Sequence, residues 1–159
     1  MGKIISLNSS PKKKVWKKPV PEATFIAGMG VEGDAHAGPG DRQVSLLMME
    51  SIERQREQLK EKSQCLGQNK IEPGKIELVP GVYAENITTI DIDLIALEIG
   101  DELIAGEKVK LRVSKIGKEC HTNCAIYHLV GDCVMPKEGI FCEVVEGGAL
   151  RMGDTIEHR

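Results

Sequence analysis

Apolar and polar residues alternate with a period of two in several short runs of this chain, which puts one set of side chains on each face of a strand. Met1 to Leu7 reads as a first strand that turns polar at Asn8-Ser9-Ser10, and Gln43-Val44-Ser45-Leu46-Leu47 reads as another. Ile90, Ile92 and Leu94 alternate with Asp91 and Asp93, and Val109, Leu111 and Val113 alternate with Lys108, Lys110, Arg112 and Ser114. Ile140, Cys142 and Val144 alternate with Phe141, Glu143 and Val145, a pattern that predicts a strand buried on both faces. One run breaks this rhythm. From about Met49 to Lys62 there is no Gly or Pro, which predicts the main helix, with Met48, Ile52 and Leu59 on one face. Glu50 precedes Arg54 in the favourable i,i+4 order, worth a few tenths of a kcal/mol. Ser63 to Gly74 reads as a surface loop that holds Cys65. Gly-Asp pairs at Gly100-Asp101, Gly131-Asp132 and Gly153-Asp154 supply turn chemistry near strand ends.

Short strands, one main helix and no regular βαβ rhythm predict a mainly β fold. The expected architecture is a closed or nearly closed β-barrel with one main helix and short helical turns. The length of 159 residues suits a single domain, 1–159, with a real core. A net charge of -3 provides no global field for nucleic acid or an anionic membrane, so neither is expected as a partner. No apolar run approaches the roughly 20 residues needed to span a bilayer. The N-terminus is too short for a signal peptide, and Gly2 with Ser6 fits a myristoylation pattern less well than a first strand. Five cysteines cannot all pair within one chain, so reduced thiols in the cytoplasm are expected. Lys12, Lys13, Lys14, Lys17 and Lys18 crowd around Trp16, either as a solvated loop or as an anion-binding flap over a pocket.

Three segments carry candidate chemistry. In the first, Gly28, Gly30, Gly33 and Gly38 surround Asp34 and His36 and are followed by Arg42. Glycines let a backbone approach a ligand or adopt positive φ. A carboxylate can orient an imidazole, and an arginine can hold phosphate or carboxylate bidentately. The alternative is a glycine-rich turn with a self-satisfied Asp–His pair. Gly28-x-Gly30-x-x-Gly33 has dinucleotide-fingerprint spacing, but no strand-to-long-helix unit surrounds it, so the match is accidental. In the second segment, Cys120 and Cys124 flank His121 behind Lys115 and Lys118. Nearby cations favour the thiolate, which is both nucleophile and metal ligand. On a helix the two cysteines would share a face with Cβ atoms roughly 5–6 Å apart; extended, they would be roughly 13 Å apart. Their spacing also suits zinc, yet Cys133 and Cys142 do not repeat it, so no structural metal is favoured. Cys142 shares a strand face with Ile140 and Val144 and reads as a small core residue. In the third segment, Glu85 and Asn86 precede the apolar Ile87, where they close a turn or line a pocket.

Taken in order, these segments resemble the MOSC domain, named for the C-terminal domain of molybdenum-cofactor sulfurase. The matching residues are Gly30-x-x-Gly33-Asp34-x-His36-x-Gly38 with Arg42-Gln43-Val44-Ser45, Ala84-Glu85-Asn86-Ile87, Gly100-Asp101, Gly117-Lys118-Glu119-Cys120-His121-x-x-Cys124-x-Ile126, Gly139-Ile140-Phe141, Gly147-Gly148 and Gly153-Asp154. The resemblance implies a mostly β barrel and a role in sulfur or molybdenum-cofactor (molybdopterin) handling, with the cofactor held transiently. It implies Cys124, or Cys120 of the Cys-His-x-x-Cys variant, as the reactive thiol that carries a persulfide, with His121 beside it. Gly33, Asp34, His36, Arg42, Glu85, Asn86 and Lys118, with backbone amides of the Gly30–Gly38 loop, would bind the cofactor. The 159 residues hold no desulfurase or ferredoxin module, so the expected partners are a sulfur donor such as a cysteine desulfurase and a molybdenum-cofactor enzyme or biosynthesis protein. Two other functions fit the resemblance: a molybdenum-cofactor-dependent reductase of N-hydroxylated compounds, and a non-catalytic cofactor escort or storage module.

Overall fold

The computed structural model describes residues 1–12, 17–66, 78–117 and 135–159, with 62–66 and Pro136 as backbone only. Its strands are β1 (Gly2–Ser9), β2 (Lys18–Val20), β3 (Glu22–Ile26), β4 (Gly30–Val31), β5 (Val44–Met48), β6 (Ile87–Ile90), β7 (Glu102–Ala105), β8 (Val109–Ile116), β9 (Ile140–Glu146), β10 (Gly148–Arg151) and β11 (Thr155–His158). Helix α1 (Met49–Leu66) follows β5, and the short α2 (Met135–Glu138) precedes β9.

Seven strands close a barrel in the order β11-β7-β8-β9-β5-β6-β1, with β1 pairing back onto β11. Strand β2 extends β1 beyond the ring, and β10-β3-β4 form a separate small sheet. All ring pairs are antiparallel except β5–β6, where α1 and the chain after it return to place Ile87 beside Leu46. A parallel pair needs such a crossover. The mainly β barrel predicted from alternation is the fold observed.

Alternation decides what each face meets. Val44, Leu46 and Met48 of β5 and Ile140, Cys142 and Val144 of β9 fill the barrel with Ile4, Leu7, Leu103 and Leu111. The opposite face turns Leu47 and Phe141 outward into a second cluster with Ile52 of α1, Leu78, Val82, Tyr83 and Met135. Burial on both faces of β9 is therefore real, and it centres on Phe141.

Four local expectations are corrected. Strand β6 stops at Ile90, because Asp91 takes a positive φ of 61° and leads Ile92 and Leu94 out of the sheet. Helix α1 runs through the predicted loop start at Ser63 as far as Leu66, since the first helix breaker after Met49 is Gly67. Met48 ends β5 inside the barrel, so of the three residues expected on the helix face Ile52 and Leu59 serve it, joined by Met49. Glu50 and Arg54 serve other partners: Glu50 accepts from the Asp91 amide at 3.1 Å, and Arg54 pairs with Glu138 of α2.

Candidate functional site

The turn after β4 is built by glycines in a conformation that side-chain-bearing residues resist. Gly30 has φ 118°, and a Cβ there would lie 2.6 Å from the Gln43 carbonyl oxygen; Gly33 has φ 80°. The turn delivers Asp34 inward. Its carboxylate accepts from the Ser10 amide at 3.1 Å and from Lys17 Nζ at 2.7 and 2.9 Å. Both side chains of that ion pair are sealed from solvent. Burial by itself would raise the Asp34 carboxyl. The contacts of His36, Lys17 and Ser10, with the Lys17 charge, outweigh it and hold the group well below the usual carboxylate range. His36, still part-exposed, turns Nδ1 to within 2.9 Å of Lys17 Nζ and 3.7 Å of Asp34 Oδ2.

Lys17 departs from the reading of the basic run as solvated loop or flap, for it is 3% exposed, whereas Lys12 and Lys18 are exposed and Lys13, Lys14 and Trp16 lie outside the described residues. No periodic signal marks it. Its burial follows from pairing of β2 with β1, Ser9 opposite Lys18, which brings Lys17 beside the turn that carries Asp34. Its backbone is fixed as well: Lys17 N donates to Gly81 O at 3.0 Å.

Around this cluster lies a small concavity lined by His36, Arg42, Ser45, Tyr83, Ala84, Met135 and Phe141. The Arg42 guanidinium stacks 5.7 Å from the Phe141 ring centroid, a cation–π geometry. Tyr83 directs its hydroxyl to the buried Gln55 at 2.6 Å, so its ring is fixed as a wall. Among these residues sequence patterning assigned a binding role only to His36 and Arg42, while Ser45, Ala84 and Phe141 entered as matching motif positions without one. The others are apolar or small side chains whose place depends on strand pairing.

Glu85 and Asn86, expected as cofactor ligands or turn closers, are completely buried and do not line the concavity. Glu85 Oε1 accepts from the Gly81 and Tyr83 amides at 3.0 and 3.2 Å, and Oε2 accepts from Thr88 Oγ1 at 2.9 Å. Burial dominates, and those hydrogen bonds offset it only in part, so the carboxyl is pushed up to about 7. Asn86 ties β5 to β1: its Oδ1 accepts from the Ser45 amide at 3.0 Å, and its Nδ2 donates to Asn8 O at 3.2 Å. The pair holds Tyr83, Ala84 and Ser45 in the wall from behind. Ala84 adopts a left-handed φ of 63° in doing so.

The expected phosphate cradle of backbone amides is also corrected. Amides of residues 32 and 34–38 are spent inside the molecule, for example Ala35 N on Ser10 O at 2.7 Å and Gly38 N on Met29 O at 2.7 Å. Gly33 itself is exposed and outside the lining. Cys142 is fully buried, and burial, then the neighbouring Glu143 charge, pushes its thiol far up, which removes it from any ligand set. Cys120, His121, Cys124, Lys118 and Cys133 lie outside the described residues. The chain leaves them bracketed by Gly117, whose amide bonds Gly139 O at 2.7 Å, and by Met135, which lines the concavity.

The fold has solved counterparts. YuaD from Bacillus subtilis matches with a TM-score of 0.71 at 19% identity, over 98% of this chain and 94% of that one. YiiM from Geobacillus stearothermophilus matches with a TM-score of 0.66 at 17% identity, over 100% of this chain and 75% of that one. YiiM from Escherichia coli gives 0.67 at 16% identity, over 100% and 70%. At these identities the likeness establishes the fold alone. No curated protein sequence matches the chain significantly. The MOSC domain model matches residues 32–157, a span that contains Asp34, His36, Arg42 and all of 118–134 but not Lys17.

Proposed function

Because the chain belongs to the MOSC domain family, which is associated with the molybdenum cofactor, we propose that the concavity binds that anionic pterin and that a thiol of the 118–134 segment carries sulfur beside it. The observation that carries this reading is the sign of the lining. Arg42 and His36 face the concavity, while Asp34 and Glu85 turn inward and spend their oxygens on Lys17, amides and a hydroxyl. Anionic oxygens are suited to that donor set, and the Phe141 and Tyr83 rings suit a flat heterocycle. Arg42 would hold an anionic oxygen, and His36 would offer a second polar contact. When bound, the cofactor supplies two-electron redox chemistry and a centre that can accept sulfur.

Cys124, or Cys120, is the proposed sulfur carrier. Its thiolate would attack the outer sulfur of a donor persulfide, such as that of a cysteine desulfurase. One S–S bond forms on the carrier, one breaks on the donor, and the donor thiolate leaves. The recipient would be a molybdenum-cofactor enzyme or an enzyme of its assembly. Lys118 and His121 would favour the thiolate.

The test is elemental and pterin analysis of protein purified anaerobically from a host that makes the cofactor, alongside its Arg42→Ala variant. Wild type should retain pterin and the variant should lose most of it with an unchanged fold, since an exposed cation–π contact contributes only about 0.5–1 kcal/mol. Persulfide donor should add one sulfur to Cys124 or Cys120 by mass spectrometry. Retention of pterin by both proteins would sink the Arg42 role. Pterin without any sulfur adduct would favour the reductase or escort readings over the carrier.

A further inference from the structure

In an ordinary Asp–His pair the carboxylate accepts Nδ1–H, which leaves Nε2 bare to act as a base. Here a lysine ammonium lies between the two groups. Lys17 Nζ is 2.7 and 2.9 Å from the Asp34 oxygens and 2.9 Å from His36 Nδ1. An ammonium has three protons to give and no lone pair to receive one. Nδ1 must therefore be the acceptor, and the single proton of the neutral ring must sit on Nε2. The Asp34 carboxylate cannot compete, because at 3.7 Å it is beyond hydrogen-bond reach of Nδ1.

We propose that Lys17 is a positioning residue that locks His36 as an Nε2–H donor and so turns the site from a general base into a receptor for an anionic oxygen. All three groups are anchored. The Lys17 and Asp34 side chains are 1% and 0% exposed, whereas His36 retains 30% and can meet a ligand. The lysine backbone is held by Lys17 N donating to Gly81 O at 3.0 Å, across an approach so close that a Cβ at Gly81 would lie 2.2 Å from Lys17 O. The Asp34 side chain is tied to the end of β1 through Ser10 N, and the His36 amide is bound to Asp34 Oδ2 at 3.1 Å. This role rests on the proposed function only in taking the concavity as the place where the ligand binds.

The tautomer can be read directly by long-range proton–nitrogen NMR on the full 15N-labelled chain, with the ring assigned by its absence in His36→Asn. The expected spectrum has a protonated Nε2, a bare Nδ1, and a scalar coupling from Lys17 Nζ to Nδ1 across the hydrogen bond. A proton on Nδ1, or no such coupling, overturns the proposal. Lys17→Met should invert the ring, with Nδ1–H given to Asp34; a variant that keeps Nε2–H overturns it as well. Should that variant fail to fold, the wild-type coupling decides alone. Inorganic phosphate is then titrated into the wild type. An unmoved Nε2 resonance with the predicted tautomer intact would defeat the anion-binding reading and leave the Lys17 assignment standing.

Discussion

Asp34 and Glu85 are two buried carboxyls of this molecule, yet their chemistry is displaced in opposite directions. Each is desolvated, and each accepts backbone amides. The difference lies in the side chains around each. His36 and Lys17 lie beside Asp34, with Lys17 contacting both its oxygens as a full cation, whereas among the described residues Glu85 meets amides and the Thr88 hydroxyl. Neutral dipoles offset part of a buried charge's desolvation; a full opposite charge at hydrogen-bond distance reverses the balance. The first carboxylate is thereby a fixed charge that organises a histidine, and the second is a titrating strut behind Tyr83 and Ala84.

Removing the cation should break the contrast most sharply. Lys17→Met leaves the buried Asp34 carboxylate without its cation and should cost about 3–5 kcal/mol, measured by chemical denaturation. Adding Asp34→Asn should recover a large part of that loss, because the stranded charge is gone. A double variant no more stable than the single one would mean the damage lies in packing.

A smaller effect separates the two by pH. Glu85 titrates near 7 in the folded chain against 4.5 as the ordinary value, so between these values the native state holds a proton that the unfolded chain has released. Stability from this group therefore falls as pH rises from 4.5 to 7, by about 3 kcal/mol at most. Glu85→Gln should flatten that slope in denaturation midpoints taken across the window. Asp34 acts in the other sense: its contribution is present above its ordinary value of 3.8 and is lost as pH falls toward the lower folded value. Asp34→Asn should blunt the acid limb only. A common slope change in both variants would erase the distinction.

The smallest expected effect tests how tightly the Glu85 strut holds its turn. Ala84 at φ 63° is strained, and Ala84→Gly should relieve about 1 kcal/mol, seen as a small rise in thermal midpoint. A fall would show that the alanine methyl in the concavity wall outweighs the strain.

How far the sequence carried these conclusions depended on the range of the interactions involved. Strands β1 and β8 were legible because half-buried strands write their faces into alternation, and β5 and β9, buried on both faces, were legible as short apolar runs. The same signal misled at Ile92 and Leu94, which are apolar because they pack on the barrel from a turn. His36 and Arg42 stood out from their loop and do line the concavity. Glu85 and Asn86 were legible as a polar pair before a strand, but their alternatives were separated only by where the oxygens point. Lys17 was invisible for a different reason. A lysine among lysines carries no mark of burial, and its partners are 17 and 19 residues away in sequence.

The ring of strands is closed by its first and last members, and that seam is thin. Gly2 and Lys3 of β1 pair with Ile156 and Thr155 of β11, helped by Ile4 N on Asp154 O at 2.8 Å and Gly153 N on Ile4 O at 2.6 Å. Contacts so distant in sequence carry a large loop-closure entropy and tend to form late. Until β11 docks, β1 has β6 along one edge and β2 beside Leu7–Ser9 on the other, so the strand edge left without a partner is the short stretch at Gly2 and Lys3, too short to template much pairing with another chain.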